Sequence, residues 1–524
     1  MAPAPREIEL KLEVEPSDET RLRSRLNHLS ARKPSTQTLV SVYYDTPAGA
    51  LREHGLSLRV RRIGREYVQT VKCVEGPLAG LYDRAEWEHA IRGPEPELSW
   101  TRDTALGPLL RADVVKFLRP AFYTRVHRTT YRLTRSGTEI GAAFDRGVVR
   151  AGSRHRAICE VELELSSGHS SELFNLARVL GEVAPLHLAV QTKADRGYEL
   201  LQKRGVALPT LVSVRPTRTD TAAEAFQTIS RGCLRQLITN EKAVLGGDAE
   251  SLHRMRVALR KLRAAISVFS QVVKDRDSRR IKSELGWLSG ELGPARDIDV
   301  FIVDVLSPLR KRHRDDPGVN RIFRDFERRR ALSYRQVATS LQSERLLHLE
   351  LEATRWIEVG PWVTSRSRSA RRRRDQAVTI LAADALTRGR KKLRDTGRNL
   401  AKLSRADRHK LRIRCKKLRY AVEFFSDLFP GKSRAQRCKS TLCALEDLQN
   451  SLGALNDLAR RETLCFRARA APGLGQGTSK TTDVLPKVFT EHVTLRLQGM
   501  RVTQLLHEAQ RAYQKFRHVK PFWN

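Results

Sequence analysis

No apolar run in the chain approaches the ~18–20 residues needed to cross a bilayer, and residues 1–25 carry no signal-like apolar stretch. Membrane insertion and secretion are therefore not expected, and a cytoplasmic protein is. Cysteine is sparse. The seven residues (73, 159, 233, 415, 438, 443 and 465) are odd in number and include no C-x-x-C, which argues against a disulfide framework or a zinc site and for reduced thiols. Aromatic side chains make up 6% of the chain, few for platforms on which single-stranded nucleic acid would stack. There is no G-x-S-x-G or comparable nucleophile motif. Negative charge is also short: 59 Asp+Glu stand against 97 Lys+Arg, a formal charge of +38. Apolar residues nonetheless reach 40% of 524, enough for two to four domains with their own cores and too much for a disordered basic tail. The surplus positive charge calls for a polyanion.

The surplus is unevenly placed. Residues 1–210 hold 32 basic and 26 acidic side chains, a net of +6, while 211–524 hold 65 and 33, a net of +32. Texture changes at the same place. Before about residue 205 the sequence alternates with period two, the strand signal. After about 220 it runs in long Leu/Ala/Arg-rich stretches with few Gly or Pro, the helical signal. Between them the stretch from Gly205 to Pro216 has two prolines and little periodicity. The expected layout is a domain over 1–205, a linker over 206–219 and a second domain over 220–515.

In the first domain Glu7, Glu9, Lys11, Glu13 and Glu15 share one strand face, with Ile8, Leu10, Leu12 and Val14 on the other. One such strand could be a half-exposed edge with solvated charges. The pattern recurs, however, at Arg59/Arg61, at Arg84/Glu86/Glu88, at Arg125/His127 and at Glu160/Glu162/Glu164. A closed antiparallel barrel accounts for this, with apolar outer faces under helices and charged faces lining a wide lumen. Eight strands are expected near 6–15, 39–45, 56–63, 66–73, 83–91, 121–133, 138–146 and 156–165, with helices near 17–30, 104–117 and 170–182. A lumen with both guanidinium forks and carboxylates suits a phosphate chain plus a hard divalent cation.

The strand Glu7-x-Glu9-x-Lys11 resembles the E-x-E-x-K signature of the CYTH, or triphosphate tunnel metalloenzyme, family. The resemblance extends in order through Tyr43-Tyr44-Asp45-Thr46, Leu58-Arg59-Val60-Arg61, Thr70-Val71-Lys72, Arg84-Ala85-Glu86-Trp87-Glu88, Arg125, Asp145, Glu160-Val161-Glu162 and Lys193 to Arg196-Gly197-Tyr198. It implies an eight-stranded tunnel that hydrolyses or cyclises triphosphate compounds with a divalent metal, Mg²⁺ or Mn²⁺. On that resemblance Glu160 and Glu162 would hold the metal, with Asp145 as an extra carboxylate. Glu7 and Glu9 would serve a second metal or orient the attacking water. Lys11, Arg59, Arg61, Lys72, Arg125 and Lys193 would neutralise the polyanion, with Arg84 and Glu86 as further lumen contacts. Glu7, Glu9, Lys11 and Lys72 form the implied catalytic set. Tyr198 and Arg196 are equally readable as packing for the last helix, and Glu164 as a strand-end surface residue.

The second domain contains an internal repeat. His-Arg-Met-Arg-Val-Ala-Leu-Arg-Lys-Leu-Arg at 253–263 aligns without gaps on His-Lys-Leu-Arg-Ile-Arg-Cys-Lys-Lys-Leu-Arg at 409–419. A second block follows in each copy, Leu292-Gly-Pro-Ala-Arg-Asp297 and Leu452-Gly-Ala-Leu-Asn-Asp457, 39 and 43 residues after the histidine. At about 100° per residue, His253, Arg256, Arg260 and Arg263 fall within an arc of about 80°, and His409, Arg412, Lys416 and Arg419 repeat it. Each helix thus presents a cationic row about 15 Å long without the i,i+4 Glu–Lys mixing of an ordinary solvated face. Further cations stand at Arg371–Arg374, Arg388, Arg390, Lys391, Lys392 and Arg394, of which the Arg371–Arg374 run also reads as a solvated linker. Residues 466–483 read as a loop.

This half resembles the CHAD family, an all-helical domain of two related four-helix halves (here about 220–350 and 375–515) associated with inorganic polyphosphate. Asp297 and Asp457 would orient the basic side chains or cap helices. The fold expected for the whole chain is an α+β tunnel barrel with covering helices, followed by an all-α domain of two duplicated four-helix bundles. The function expected is metal-dependent hydrolysis of inorganic triphosphate, with a helical module that binds polyphosphate. The competing readings are a thiamine or nucleoside triphosphatase, an adenylate cyclase of the same fold, and a non-enzymatic binder of polyphosphate or nucleic acid. Charge alone does not exclude nucleic acid, but no recognisable nucleic-acid motif accompanies it.

Overall fold

The structure, a computed structural model, describes residues 5–73, 79–201, 215–469 and 502–523, with main chain alone over 456–469 and at Val502. Nine strands form one antiparallel sheet: β1 (Arg6–Val14), β2 (Ser35–Asp45), β3 (Leu56–Ile63), β4 (Glu66–Cys73), β5 (Leu81–Ile91), β6 (Arg119–Arg135), β7 (Thr138–Ala151), β8 (Arg154–Ser167) and β9 (Leu186–Leu188). Their order is β5-β4-β3-β2-β6-β7-β8-β1-β9, and the additional pairing of β1 with β5 closes an eight-stranded barrel. All eight expected strands are present, with β2, β6, β7 and β8 longer than expected and β9 added beside the second half of β1. The β6–β7 hairpin turns on Ser136 and Gly137, both at positive φ (47° and 72°), the geometry that matches a two-residue turn to the twist of its strands.

The outer face of the barrel is apolar. Leu58, Val60 and Val71 pack with Leu51, Leu106 and Val114 from the short segments around them. The Glu19–Leu29 and Ser171–Gly181 helices cover the opposite side, against β6 and against β1 and β8 respectively. A helix is expected over 104–117. The chain there instead makes short 3₁₀ turns at Trp100–Asp103 and Gly107–Leu109 and a helix only at Ala112–Phe117, because Pro108 and Gly107 interrupt it.

The Lys193–Leu201 helix packs on β6, β7 and β8 and fills one end of the lumen. It does so through Gly197: a methyl group there would lie 2.1 Å from the Phe122 ring. Tyr198 joins Tyr43, Phe122, Val126, Val149 and Ile158 in a small core inside the barrel, and its hydroxyl donates to Asp45 Oδ2 at 2.8 Å. Asp45 also accepts from the backbone N–H groups of Thr46, Leu51 and Arg52.

The chain divides into two compact units. The barrel unit takes in residues 230–239 and 342–364 besides the N-terminal residues. Within it the Glu344–Val359 helix lies on the Ser171–Gly181 helix and on β9. A methyl at Gly181 would meet Leu347 Cδ2 at 2.5 Å, and Arg231 Nε donates to Glu358 Oε1 at 2.7 Å. The expected 206–219 join falls mostly outside the described residues.

The other unit is almost wholly helical, with its main helices at Ala249–Val268, Arg276–Glu291, Gly293–Phe301, Pro317–Leu341, Val378–Gly397, Arg405–Phe425, Lys432–Arg469 and Val502–His518. The sequence repeat persists as a repeated contact. Arg256 Nη1 lies 3.6 Å from where a methyl on Gly293 would be, and Arg412 Nη2 lies 3.4 Å from the same point on Gly453. In both copies the arginine of the first block therefore lies over the glycine of the second. The Lys432–Arg469 helix runs into the expected 466–483 loop, whose residues 470–483 lie outside the described residues, as does part of the expected second four-helix half.

Candidate functional site

Strand parity builds the site. On β1 the residues Glu7, Glu9 and Lys11 turn inward, on β3 Arg59 and Arg61, on β4 Lys72, on β5 Arg84, Glu86 and Glu88, and on β8 Glu162 and Glu164. All of them, with Tyr43, Arg128 and Lys193, line a cavity of about 320 Å³. Beneath it Asp145 and Glu160, direct cross-strand partners on β7 and β8, join Glu162. One ligand oxygen from each of the three lies within 4.8 Å of the others, and all three side chains are buried.

Each carboxylate of this cluster is met by a cation. Arg128 is bidentate to Asp145 (Nε–Oδ1 2.7 Å, Nη2–Oδ2 2.6 Å) and also reaches Glu162. Lys193 Nζ sits between Asp145 Oδ2 at 2.7 Å, Glu162 Oε1 at 2.9 Å and Glu160. Lys11 Nζ bonds Glu9 Oε2 at 2.9 Å and Glu162. Lys72 bridges Glu7 Oε2 at 2.8 Å and Glu86 Oε2 at 2.6 Å, and Arg84 spans Glu7 and Glu9.

These fields set the protonation states. Burial raises the Glu162 carboxyl, but Lys11, Lys193 and Arg128 outweigh it and hold the group well below the ordinary carboxylate range. Asp145 is likewise lowered, by Lys193 and Arg128 against burial. Burial, with Arg59 and Arg128 beside it, lowers Arg61 to about 10. Glu164, at the cavity wall, is raised by burial and by Glu7 and Glu9.

The arrangement can hold a hard divalent cation. Its donors are three buried carboxylates, and Glu160 Oε2 makes no hydrogen bond although Arg196 Nη2 lies 2.9 Å away. Lys193 Nζ stands where their negative charge converges, so a metal would share the carboxylates with it or turn it toward the cavity. Carboxylates engaged by a metal would leave Lys11, Lys193 and Arg128 available to an incoming polyanion.

Of the expected barrel residues, Arg125 does not join the others. It is exposed on the outer face of β6, in the row of Tyr123 and His127, whereas Phe122, Val126 and Arg128 point inward. Strand alternation is the reason: Arg125 and the inward residues differ in parity. The inward cation is Arg128. A signal for it was present, because counting eight positions out from the Ser136-Gly137 turn sets Arg128 directly opposite Asp145. Arg196 is more than helix packing, since it also pairs with Glu13 at 2.9 Å, and Glu164 belongs to the cavity wall.

On the helical unit, His253, Arg256, Arg260 and Arg263 lie half-buried on Ala249–Val268. On Arg405–Phe425, Arg412, Lys416 and Arg419 are half-buried and His409 is exposed. The rows are engaged with neighbouring helices. Arg256 Nη1 donates to the Ser289 carbonyl at 2.9 Å, Arg263 rests on Gly286, and Arg260 Nε donates to Tyr420 Oη at 3.3 Å. Positive charge concentrates where the copies meet. Burial and Arg263 lower the Lys282 ammonium, and burial with Lys282, Arg263, Lys392 and Arg414 lowers Lys417. Burial and Arg296 lower His253. Arg390 is buried apart from this patch and donates to the Arg517 and Val519 carbonyls at 3.0 and 2.6 Å. Asp297 is half-buried, and the side chain of Asp457 lies outside the described residues.

Two family models match the chain. The CYTH domain model matches residues 5–198 and the CHAD domain model residues 228–465. An inorganic triphosphatase of Haemophilus influenzae is 30% identical over 199 residues, 38% of this chain and 56% of that protein, so the match spans little more than half of that relative. An uncharacterized protein of Mycobacterium tuberculosis is 26% identical over 474 residues, 84% of this chain and 85% of its own length. The crystal structure of the CHAD domain from the plant Ricinus communis is 25% identical with a TM-score of 0.47, covering 58% of this chain and 94% of that one. No helix among the described residues is long and apolar enough to cross a membrane.

Proposed function

The chain joins a CYTH domain over residues 5–198 to a CHAD domain over residues 228–465, and we propose that it is a metal-dependent inorganic triphosphatase whose helical part binds inorganic polyphosphate. The observation that carries the reading is the buried Asp145–Glu160–Glu162 cluster, interleaved with lysine and arginine inside a closed barrel. Similarity to the Haemophilus triphosphatase over the barrel region supports it.

Lys11, Lys72, Arg59, Arg61, Arg84 and Arg128 would bind and orient the phosphate chain through its non-bridging oxygens. Asp145, Glu160 and Glu162 would hold Mg²⁺ or Mn²⁺, which when bound supplies charge neutralisation and electrophilic activation of phosphate oxygens. Glu7 and Glu9 would position water for in-line attack on a terminal phosphorus, with most of the barrier reduction coming from positioning and charge. Tyr43 is the one aromatic side chain among the described cavity-lining residues, and its face is already stacked on Phe122. That favours a bare phosphate chain over a nucleoside or thiamine ester. The duplicated cationic rows suit a longer polymer of the same chemistry.

The test is phosphate release from tripolyphosphate with Mg²⁺ or Mn²⁺ and with chelator, in the natural protein and in the Glu7→Gln/Glu9→Gln double variant. Hydrolysis should need metal and should vanish in the variant while its circular dichroism is unchanged. Activity that survives the double change would remove Glu7 and Glu9 from the proposed roles.

A further inference from the structure

Glu13 continues the inward row of Glu7, Glu9 and Lys11 on β1 and lies directly opposite Glu160 on β8. It has no part in the chemistry described so far, and the described residues that line the cavity do not include it. Its side chain is 41% exposed and pairs with Arg196 of the Lys193–Leu201 helix, which is 3% exposed. Lys193 and Arg196 stand three residues apart on that helix and so share a side of it. Between them they take both oxygens of the buried Glu160 carboxylate, Lys193 at Oε1 and Arg196 at Oε2.

The two contacts of Arg196 Nη2 differ in kind. It donates a hydrogen bond to Glu13 Oε1 at 2.9 Å. It also lies 2.9 Å from Glu160 Oε2, yet that oxygen accepts no hydrogen bond. Glu13 thus receives the N–H, while Glu160 receives the neighbouring charge and keeps its lone pairs. Among the described residues Glu13 and Glu160 are the ion partners of Arg196, and its Nε makes no hydrogen bond. The guanidinium is therefore divided between one half-exposed carboxylate and one member of the Asp145–Glu160–Glu162 cluster.

We propose that Glu13 is a positioning residue for the metal site: by holding Arg196 Nη2 it keeps that N–H off Glu160 Oε2, so that the oxygen stays open to a divalent cation. This rests on the metal-dependent reading of the cluster and adds to it a control from outside the cavity. A buried carboxylate needs a compensating charge nearby, but a donor aimed at its lone pairs competes with a metal for them. Arg196, tethered by Glu13, supplies the charge without the competing bond. Without Glu13 the guanidinium is free to turn its N–H onto Glu160.

In the experiment Mn²⁺ is titrated into the full-length protein without substrate, and the electron paramagnetic resonance signal of the free ion reports binding. Binding at the cluster is the part lost in Asp145→Asn. Glu13→Gln should weaken it about threefold to tenfold, the size of one ordinary net hydrogen bond. Glu15→Gln removes the same charge from an exposed side chain two residues on and should bind Mn²⁺ as the natural protein does. In an Arg196→Gln background Glu13→Gln should have no further effect, because nothing is left for Glu13 to hold. If Arg196→Gln does not fold, the comparison of Glu13→Gln with Glu15→Gln decides alone. Affinity of Glu13→Gln within twofold of the natural protein, an equal loss in Glu15→Gln, or the same loss with and without Arg196 would overturn the proposal and leave the metal site standing. If the natural protein binds no Mn²⁺ that Asp145→Asn removes, the metal reading falls and the proposal with it.

Discussion

Replacing Arg128 by alanine removes the guanidinium that is bidentate to Asp145 and bonded to Glu162. The arginine side chain is 17% exposed and that of Asp145 is fully buried, so solvent would screen the loss poorly. Breaking a buried ion pair by deleting one partner costs about 3–5 kcal/mol. Lys193 and Lys11 still neutralise the same carboxylates, which reduces the expected loss to about 2–3 kcal/mol. For a body of this size that corresponds to roughly 5–10 °C in melting temperature. Arg125→Ala, three residues away on the exposed side of the same strand, should stay within about 0.5 kcal/mol of the natural protein. Calorimetric melting and tripolyphosphate turnover of the two variants form the assay. Arg128→Ala should lose both stability and turnover, and should bind Mn²⁺ more tightly without substrate because its acidic cluster has lost a competing cation. Arg128→Lys should recover part of the stability and little of the turnover, since one ammonium cannot reproduce a bidentate fork. Equal effects at 125 and 128, or a larger effect at 125, would refute the assignment of the two faces of β6.

The remaining predictions concern pH, domain excision and polymer binding. Asp145 and Glu162 have folded pKa values below their ordinary ones, so the stability they contribute is present above the ordinary carboxylate range and is lost as pH falls through the lower folded values. The melting temperature should therefore change little because of this pair between about pH 7 and 5 and decline below about pH 4; a decline centred at pH 6 would contradict it. A fragment ending at residue 214 lacks the Glu344–Val359 helix that covers Ser171–Gly181 and β9. It should self-associate or melt well below the full chain in light scattering and calorimetry, and a monomer melting like the full chain would show that cover to be dispensable. In the helical unit, long-chain polyphosphate should displace duplex DNA at physiological salt, and Arg256→Ala/Arg412→Ala should weaken polyphosphate binding. Equal affinity per phosphate for the two polymers would mean generic electrostatics.

Much of the barrel was legible in the sequence because period-two alternation with charges on one face has few other outcomes once it recurs over five strands. The inward placement of Glu7, Glu9, Lys11, Arg59, Arg61, Lys72, Arg84 and Glu162 follows from that alternation. Arg125 shows its limit: a strand that alternates basic residues with apolar ones on both sides of the wall does not announce which row is inside. Register decides, and register is set by the two-residue turn at Ser136-Gly137. The inner aromatic stack was hidden for a different reason. Tyr43, Phe122 and Tyr198 are distant in sequence and meet because Gly197 lets a helix enter the barrel. In the helical half the repeat revealed the cationic rows, while the glycines at 293 and 453 that seat Arg256 and Arg412 gained their meaning only from packing. The cover supplied by Glu344–Val359 was invisible, since an amphipathic helix does not state which surface it will bury.

The central claim is that the tunnel acts on a bare triphosphate, and substrate preference tests it most directly. Initial rates of phosphate release from tripolyphosphate, ATP and thiamine triphosphate should be compared at equal concentration with Mg²⁺ in the full-length protein. The account predicts a kcat/KM for tripolyphosphate at least tenfold above either ester, corresponding to about 1.4 kcal/mol of discrimination. Preference for ATP or thiamine triphosphate, or release from none of the three, would contradict it.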